Sequence, residues 1–175
     1  MEILDAATLV GAVAMLAIVV QGALLPRDYE VARMVTLEMD VMKVWPLLVD
    51  PRHMNTWRRD LRRVMRLPGE KDLPAWIDVG VFGRRQWRAR ELVAFKLVRA
   101  SVENGLFPMR GEVRVELSGN ENRTIVVFRE TGRIDSQFVR VLARWVLGLH
   151  SQADSFLGAL ARNFEQPARI EDAER

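Results

Sequence analysis

Apolar residues fill the first stretch of the chain without a break and then settle into two different periods. From Ala6 to Leu25 no charged residue occurs, and Ala, Val, Leu, Ile and Met occupy most positions. A helix rises ~1.5 Å per residue, so about 20 such residues span the ~30 Å apolar layer of a bilayer. The run is apolar on every side, unlike the one-faced pattern of a helix lying on a globular core. A transmembrane helix over residues 1–26 is therefore expected. A cleaved signal peptide is the alternative, but Glu2 and Asp5 stand where such a peptide carries basic residues, and Val20-Gln21-Gly22-Ala23 is a poor cleavage site. Acids before the run and Arg27 and Arg33 after it place the N-terminus outside and the domain in the cytoplasm, a single-pass membrane protein.

Beyond Pro26 the period changes to two. Tyr29, Val31, Val35, Leu37 and Met39 read as a strand. Asp40 is placed to cap a short helix through Val49, with Pro46 inside it, and Asp50-Pro51 breaks it. A second short helix carries Met54 and Trp57. Strands follow at Leu61–Leu67, Ala75–Phe82, Gln86–Leu92, Ala94–Val102, Arg110–Leu117 and Thr124–Thr131. Gly83-Arg84, Asn104-Gly105 and Ser118-Gly119-Asn120 supply turns between them. From Phe138 the period becomes 3.6: Phe138, Leu142, Trp145, Leu149, Ala153, Phe156, Leu160 and Phe164 form one apolar stripe on a long helix that Pro167 ends. Residues 27–167 form one α+β domain, a curved antiparallel sheet wrapped around that helix, and 168–175 a polar tail that frays.

Composition narrows the chemistry. The chain has 175 residues, a formal net charge of +3 and no cysteine, which excludes disulfides, thiolate metal sites and thiol nucleophiles. Its basic residues are nearly all arginine, and Arg52, Arg58, Arg59, Arg62, Arg63 and Arg66 crowd together with Asp60 as the only acid among them. Arg58, Arg59, Arg62 and Arg63 are candidates for contact with anionic lipid headgroups, at ~1 kcal/mol per basic residue near the surface. A solvated charged face explains the same cluster. Nucleic acid is not expected as a partner: the tail is acidic at Glu171, Asp172 and Glu174, and no binding motif is present.

The order of elements and several local motifs resemble the SRPBCC or START-like helix-grip superfamily, in particular its polyketide cyclase/dehydrase-like group. Arg33-Met34-Val35-Thr36-Leu37 followed by Val44-Trp45-Pro46-Leu47-Leu48-Val49-Asp50 resembles the family's opening strand and helix, from which Pro46 departs. His53-Met54-Asn55-Thr56-Trp57 carries a Trp at a familiar place. Leu106-Phe107-Pro108-Met109-Arg110-Gly111 resembles the start of a later strand. Thr124 through Glu130-Thr131-Gly132 resembles the strand before the last helix, and Val146-Leu147-Gly148-Leu149-His150 a segment within it. Some members also carry an N-terminal membrane helix. The resemblance implies a cavity between sheet and C-terminal helix that takes a hydrophobic small molecule or lipid, although this fold hosts binders, carriers and enzymes alike.

On that footing Trp87, Glu130, Phe138, Leu142, Trp145 and Leu149 are the expected ligand-binding residues. Five tryptophans suit an apolar pocket with an exit to water, and a core equally. Glu130, if it faces the cavity, gains a raised pKa and can act as acid or base; pairing with a strand neighbour such as Arg114 is the plainer alternative. His53 and His150 stand far apart and suggest no metal site. No catalytic constellation, phosphate-binding loop or nucleotide fingerprint is found, and no cofactor is expected. The function so implied is membrane-tethered binding of a hydrophobic molecule. The alternatives are a cyclase- or hydrolase-type enzyme using Glu130 or His150, and a protein-interaction module.

Overall fold

The computed structural model describes residues 2–70, 72–104 and 109–173. After helix α1 (Glu2–Leu24) come strand β1 (Asp28–Leu37), helix α2 (Val41–Val49) and the short helix α3 (Met54–Trp57). Six further strands follow: β2 (Leu61–Leu67), β3 (Ala75–Gly80), β4 (Gly83–Val93), β5 (Leu97–Asn104), β6 (Met109–Gly119) and β7 (Thr124–Ile134). Helix α4 (Gln137–Leu142), a π-helical segment (Ala143–Leu147), helix α5 (Ser151–Asn163) and strand β8 (Ile170–Asp172) complete the chain. Gly105 of the Asn104-Gly105 turn and the first three residues of the Leu106–Gly111 motif lie outside the described residues.

The strands form one antiparallel sheet in the order β2-β3-β4-β5-β6-β7-β1-β8. Period-two alternation sends one face inward: Val113, Val115 and Leu117 of β6 and Thr124, Val126, Phe128 and Glu130 of β7 are all buried. Helix α5 lies on that face and contributes Ala153, Phe156, Leu157 and Leu160. Phe156 packs against both Phe128, at 5.1 Å between ring centroids, and Trp57, at 5.6 Å. The fold is thus the expected α+β helix grip. Asp40 caps α2 through a bond from the Met42 amide, and Pro46 sits within that helix without ending it before Val49.

Three expectations are corrected. The C-terminal helix is not continuous: Gly148 adopts φ +74°, and the π register of the preceding turn rotates the apolar stripe out of phase with α5. The stretch beyond Pro167 does not simply fray, because Ile170–Asp172 pairs with β1, and Arg33 of β1 donates to both Asp154 and Asp172.

The third correction concerns the membrane. Among the described residues no helix is long and apolar enough to cross a bilayer, against the expected single-pass topology. Gln21 interrupts the apolar run, and Gly22 is buried where the end of α1 packs on α4, against the backbone of Gln137. That last turn is committed to the domain rather than to a span.

Candidate functional site

One row of residues crosses the sheet and organises its interior. Trp76, Trp87, Val102, Gly111, Gly132 and Tyr29 are successive cross-strand partners on β3, β4, β5, β6, β7 and β1. At one side of the row Trp76 and Trp87 stack, 5.6 Å apart with ring planes 5° from parallel. At the other, the tyrosine ring lies over Gly132, where a Cβ would come within 2.6 Å of it. Glycine is thus required there for space, and that space lets the Tyr29 hydroxyl reach the next inward residue of β7.

That residue is Glu130. Tyr29 Oη donates to Glu130 Oε1 at 2.7 Å, while Glu130 Oε2 is buried without a partner among the described residues. Burial pushes the Glu130 carboxyl above its usual range, opposed by the Tyr29 hydrogen bond and by the positive charge of Arg85. Burial, and then the neighbouring carboxylate, raises the Tyr29 phenol as well. A protonated Glu130 keeps one O–H free to donate to an acceptor brought into the interior.

The second polar group faces it from β3 and β4. Asp78 is fully buried and accepts from Arg85 Nε at 2.9 Å, Arg85 Nη2 at 2.8 Å and Trp87 Nε1 at 2.9 Å. Arg85 Nη1 donates to Gln152 Oε1 of α5 at 2.6 Å, leaving the Gln152 amide nitrogen unpartnered. This bidentate pair is satisfied on both members, which lets the fold hold two charges in its core. Arg58 is a further buried cation, paired with Asp60 and stacked 5.4 Å over the Phe156 ring. Burial lowers its pKa, opposed by Asp60.

The opening lies between the end of α1, the start of β1 and the broken helix. A cavity of about 200 Å³ there is lined by Leu25, Pro26, Tyr29, Ile134, Arg140 and Leu149, with Asp28, Glu30 and Arg144 at its margin. Tyr29 connects this mouth to Glu130 inside. Among the described residues no group of histidine and carboxylate side chains could hold a metal ion.

The sequence-predicted residues separate into three sets. Glu130 and Trp87 are buried in the interior, and Leu149 lines the mouth. Phe138 and Trp145 are 56% and 70% exposed, and Leu142 is half-buried beside them. Arg59, Arg62 and Arg63 are exposed on and beside edge strand β2, whereas Arg58 turns inward to Asp60. His150 is exposed next to the helix break, and His53 lies near Asp50 at 3.4 Å. Sequence reasoning missed Asp78, Arg85, Tyr29 and Arg140.

No known family profile matches the chain, and no curated protein matches it. Solved structures do. A conserved protein from Geobacillus kaustophilus superposes with a TM-score of 0.63 at 12% identity, over 82% of this chain and 99% of that one. An aromatase/cyclase from a Streptomyces species gives 0.63 at 13% identity, covering 79% and 94%. Norcoclaurine synthase from Thalictrum flavum, in complex with dopamine and hydroxybenzaldehyde, gives 0.63 at 6% identity, covering 83% and 91%. At such low identity the likeness establishes the helix-grip fold and nothing finer.

Proposed function

We propose that this chain binds a hydrophobic small molecule or lipid at the open end of the grip, with the Tyr29–Glu130 pair as the polar floor of the site. The observation that carries this reading is the unpartnered, buried Glu130 oxygen beside a tyrosine that itself lines the mouth. A buried polar atom without a partner costs about 1–3 kcal/mol, and a ligand acceptor that reaches it recovers that cost. Leu25, Ile134 and Leu149 supply apolar walls worth ~25 cal/mol per Å² buried. The aromatase/cyclase and the synthase bound to aromatic compounds support the reading as relatives in fold.

The test is a fluorescence titration of the full chain with the neutral probe N-phenyl-1-naphthylamine, paired with native mass spectrometry of the purified protein. Saturable binding of one probe per chain is expected, weakened several-fold by Tyr29→Ala. Absence of saturable binding together with a bare protein mass overturns the proposal.

A second reading follows from the same carboxyl. An acid with a raised pKa, hydrogen-bonded to a phenol that lines a small cavity, suits proton transfer to a bound carbonyl or enol. Under that reading Glu130→Gln abolishes turnover of a bound substrate while leaving its affinity nearly unchanged; loss of both together points back to binding alone.

A further inference from the structure

The mouth contains a buried cation that makes no ion pair among the described residues. Among the described residues three arginines are buried: Arg58, Arg85 and Arg140. Arg58 is paired with Asp60 and Arg85 with Asp78. Arg140, only 4% exposed, has no carboxylate in contact among the described residues. Its Nη1 donates to the Ile134 carbonyl at 3.4 Å, and its Nε is buried with no partner. The side chain lines the 200 Å³ cavity, with the exposed Arg144 one helical turn further on at the same margin. A buried guanidinium that keeps its charge needs an anion or a full set of acceptors. The nearby acids do not serve. Asp28 and Glu30 border the cavity from exposed positions, and Asp28 lies 3.8 Å from Arg133. Asp135 feels the charge of Arg140 only weakly and accepts from Arg133 instead.

We infer that the mouth is an anion subsite: Arg140, assisted by Arg144, receives the carboxylate or phosphate head of an amphiphilic ligand whose apolar part lies against Leu25, Ile134 and Leu149. This rests on the hydrophobic-ligand reading above and names the class of ligand within it. Guanidinium suits such a head because its planar fork donates two parallel bonds to two oxygens. The free Nε and the terminal nitrogens of Arg140 supply that fork.

The experiment is calorimetric titration of the full chain with octanoate, octyl phosphate and 1-octanol, three probes that share one tail. Octanoate or octyl phosphate is expected to bind at least tenfold more tightly than 1-octanol, the increment of one charge-assisted hydrogen bond. Which of the two anions binds better identifies the head as carboxylate or phosphate. Arg140→Gln should bring the anion affinities down to the 1-octanol affinity of the same variant, Arg140→Lys should retain part of the preference, and Arg144→Gln should cost two- to threefold. A thermal melt of each variant checks folding, and Arg144→Gln, at an exposed site, keeps the test open if Arg140→Gln does not fold. Equal affinities for the three probes overturn the anion subsite but leave the hydrophobic site standing; no binding of any probe overturns both. An anion preference that survives in both Gln variants also overturns the assignment.

Discussion

The two ends of the grip differ in which groups they leave without a partner. At the closed end Phe128, Phe156, Trp57 and Leu157 are packed against one another, and both buried ion pairs have every charge matched. Among the described residues the Trp57 and Trp76 indoles and the Gln152 amide each keep a neutral N–H without a partner, whereas at the open end the groups with an unpartnered buried atom are ionisable, Glu130 and Arg140. An ionisable group left unpaired in an interior costs more than a neutral indole, so the open end is the region that has given up more stability for another use. The helix break at Gly148 falls between the two, with Phe156 and Leu157 of α5 on one side and Arg140 of α4 on the other.

Substitutions grade this contrast. The largest effect belongs to Asp78→Ala, which strands Arg85 in the core and should cost about 3–5 kcal/mol in denaturant unfolding. A loss below about 1 kcal/mol would mean that the closed end is wetter than its geometry. Leu157→Ala, at a fully buried position, should cost about 2–5 kcal/mol by loss of contact and cavity formation.

Glu130 gives the opposite sign with pH. Its carboxyl is raised in the folded chain, so between the unfolded and folded pKa the native state holds more protons than the unfolded state. Stability is therefore highest at low pH for this group and declines as pH rises above the unfolded value of a glutamate. Glu130→Gln should flatten that slope in a series of melts from acid to neutral pH; an unchanged slope would place the titration elsewhere. Gly132→Ala should displace the Tyr29 ring and break its bond to Glu130, at a cost of about 1–3 kcal/mol and with a lowered Tyr29 pKa in a spectroscopic titration. Smallest of all, Trp145→Ala at its exposed site should change stability by no more than about 0.5 kcal/mol. A large loss there would restore the tryptophan to the interior and blur the contrast between the ends.

Part of the site was legible in the chain. Hairpin register follows from the turn, and Asp78 and Arg85, like Trp76 and Trp87, stand equidistant from the Val81-Phe82 connection. The turn expected at Gly83-Arg84 lies two residues too late, since Gly83 and Arg84 pair with Gly80 and Val79, and so neither the ion pair nor the stacked tryptophans followed from it; opposite charges across a hairpin also occur on solvated faces, so burial was not implied. The Tyr29–Glu130 bond is different. It joins strands more than a hundred residues apart, and nothing local marks the pairing.

Short-range physics determined the strands, Asp40 as a helix cap and the sheet wrapped on a final helix, because each depends on side-chain period or on neighbours a few residues away, whereas the inward turn of Glu130 was left open between the cavity and a strand neighbour. Tertiary structure alone decided four things: that the stripe from Phe138 to Phe164 divides at Gly148, that the turn around Gly22 packs on α4, that Arg58 turns inward against the Phe156 ring, and that Arg140 is buried with no carboxylate in contact among the described residues. The physical reason is common to all four. A periodic pattern fixes which residues share a face, but which face meets which partner, and which charge is left unmatched, is set by contacts between segments distant in sequence.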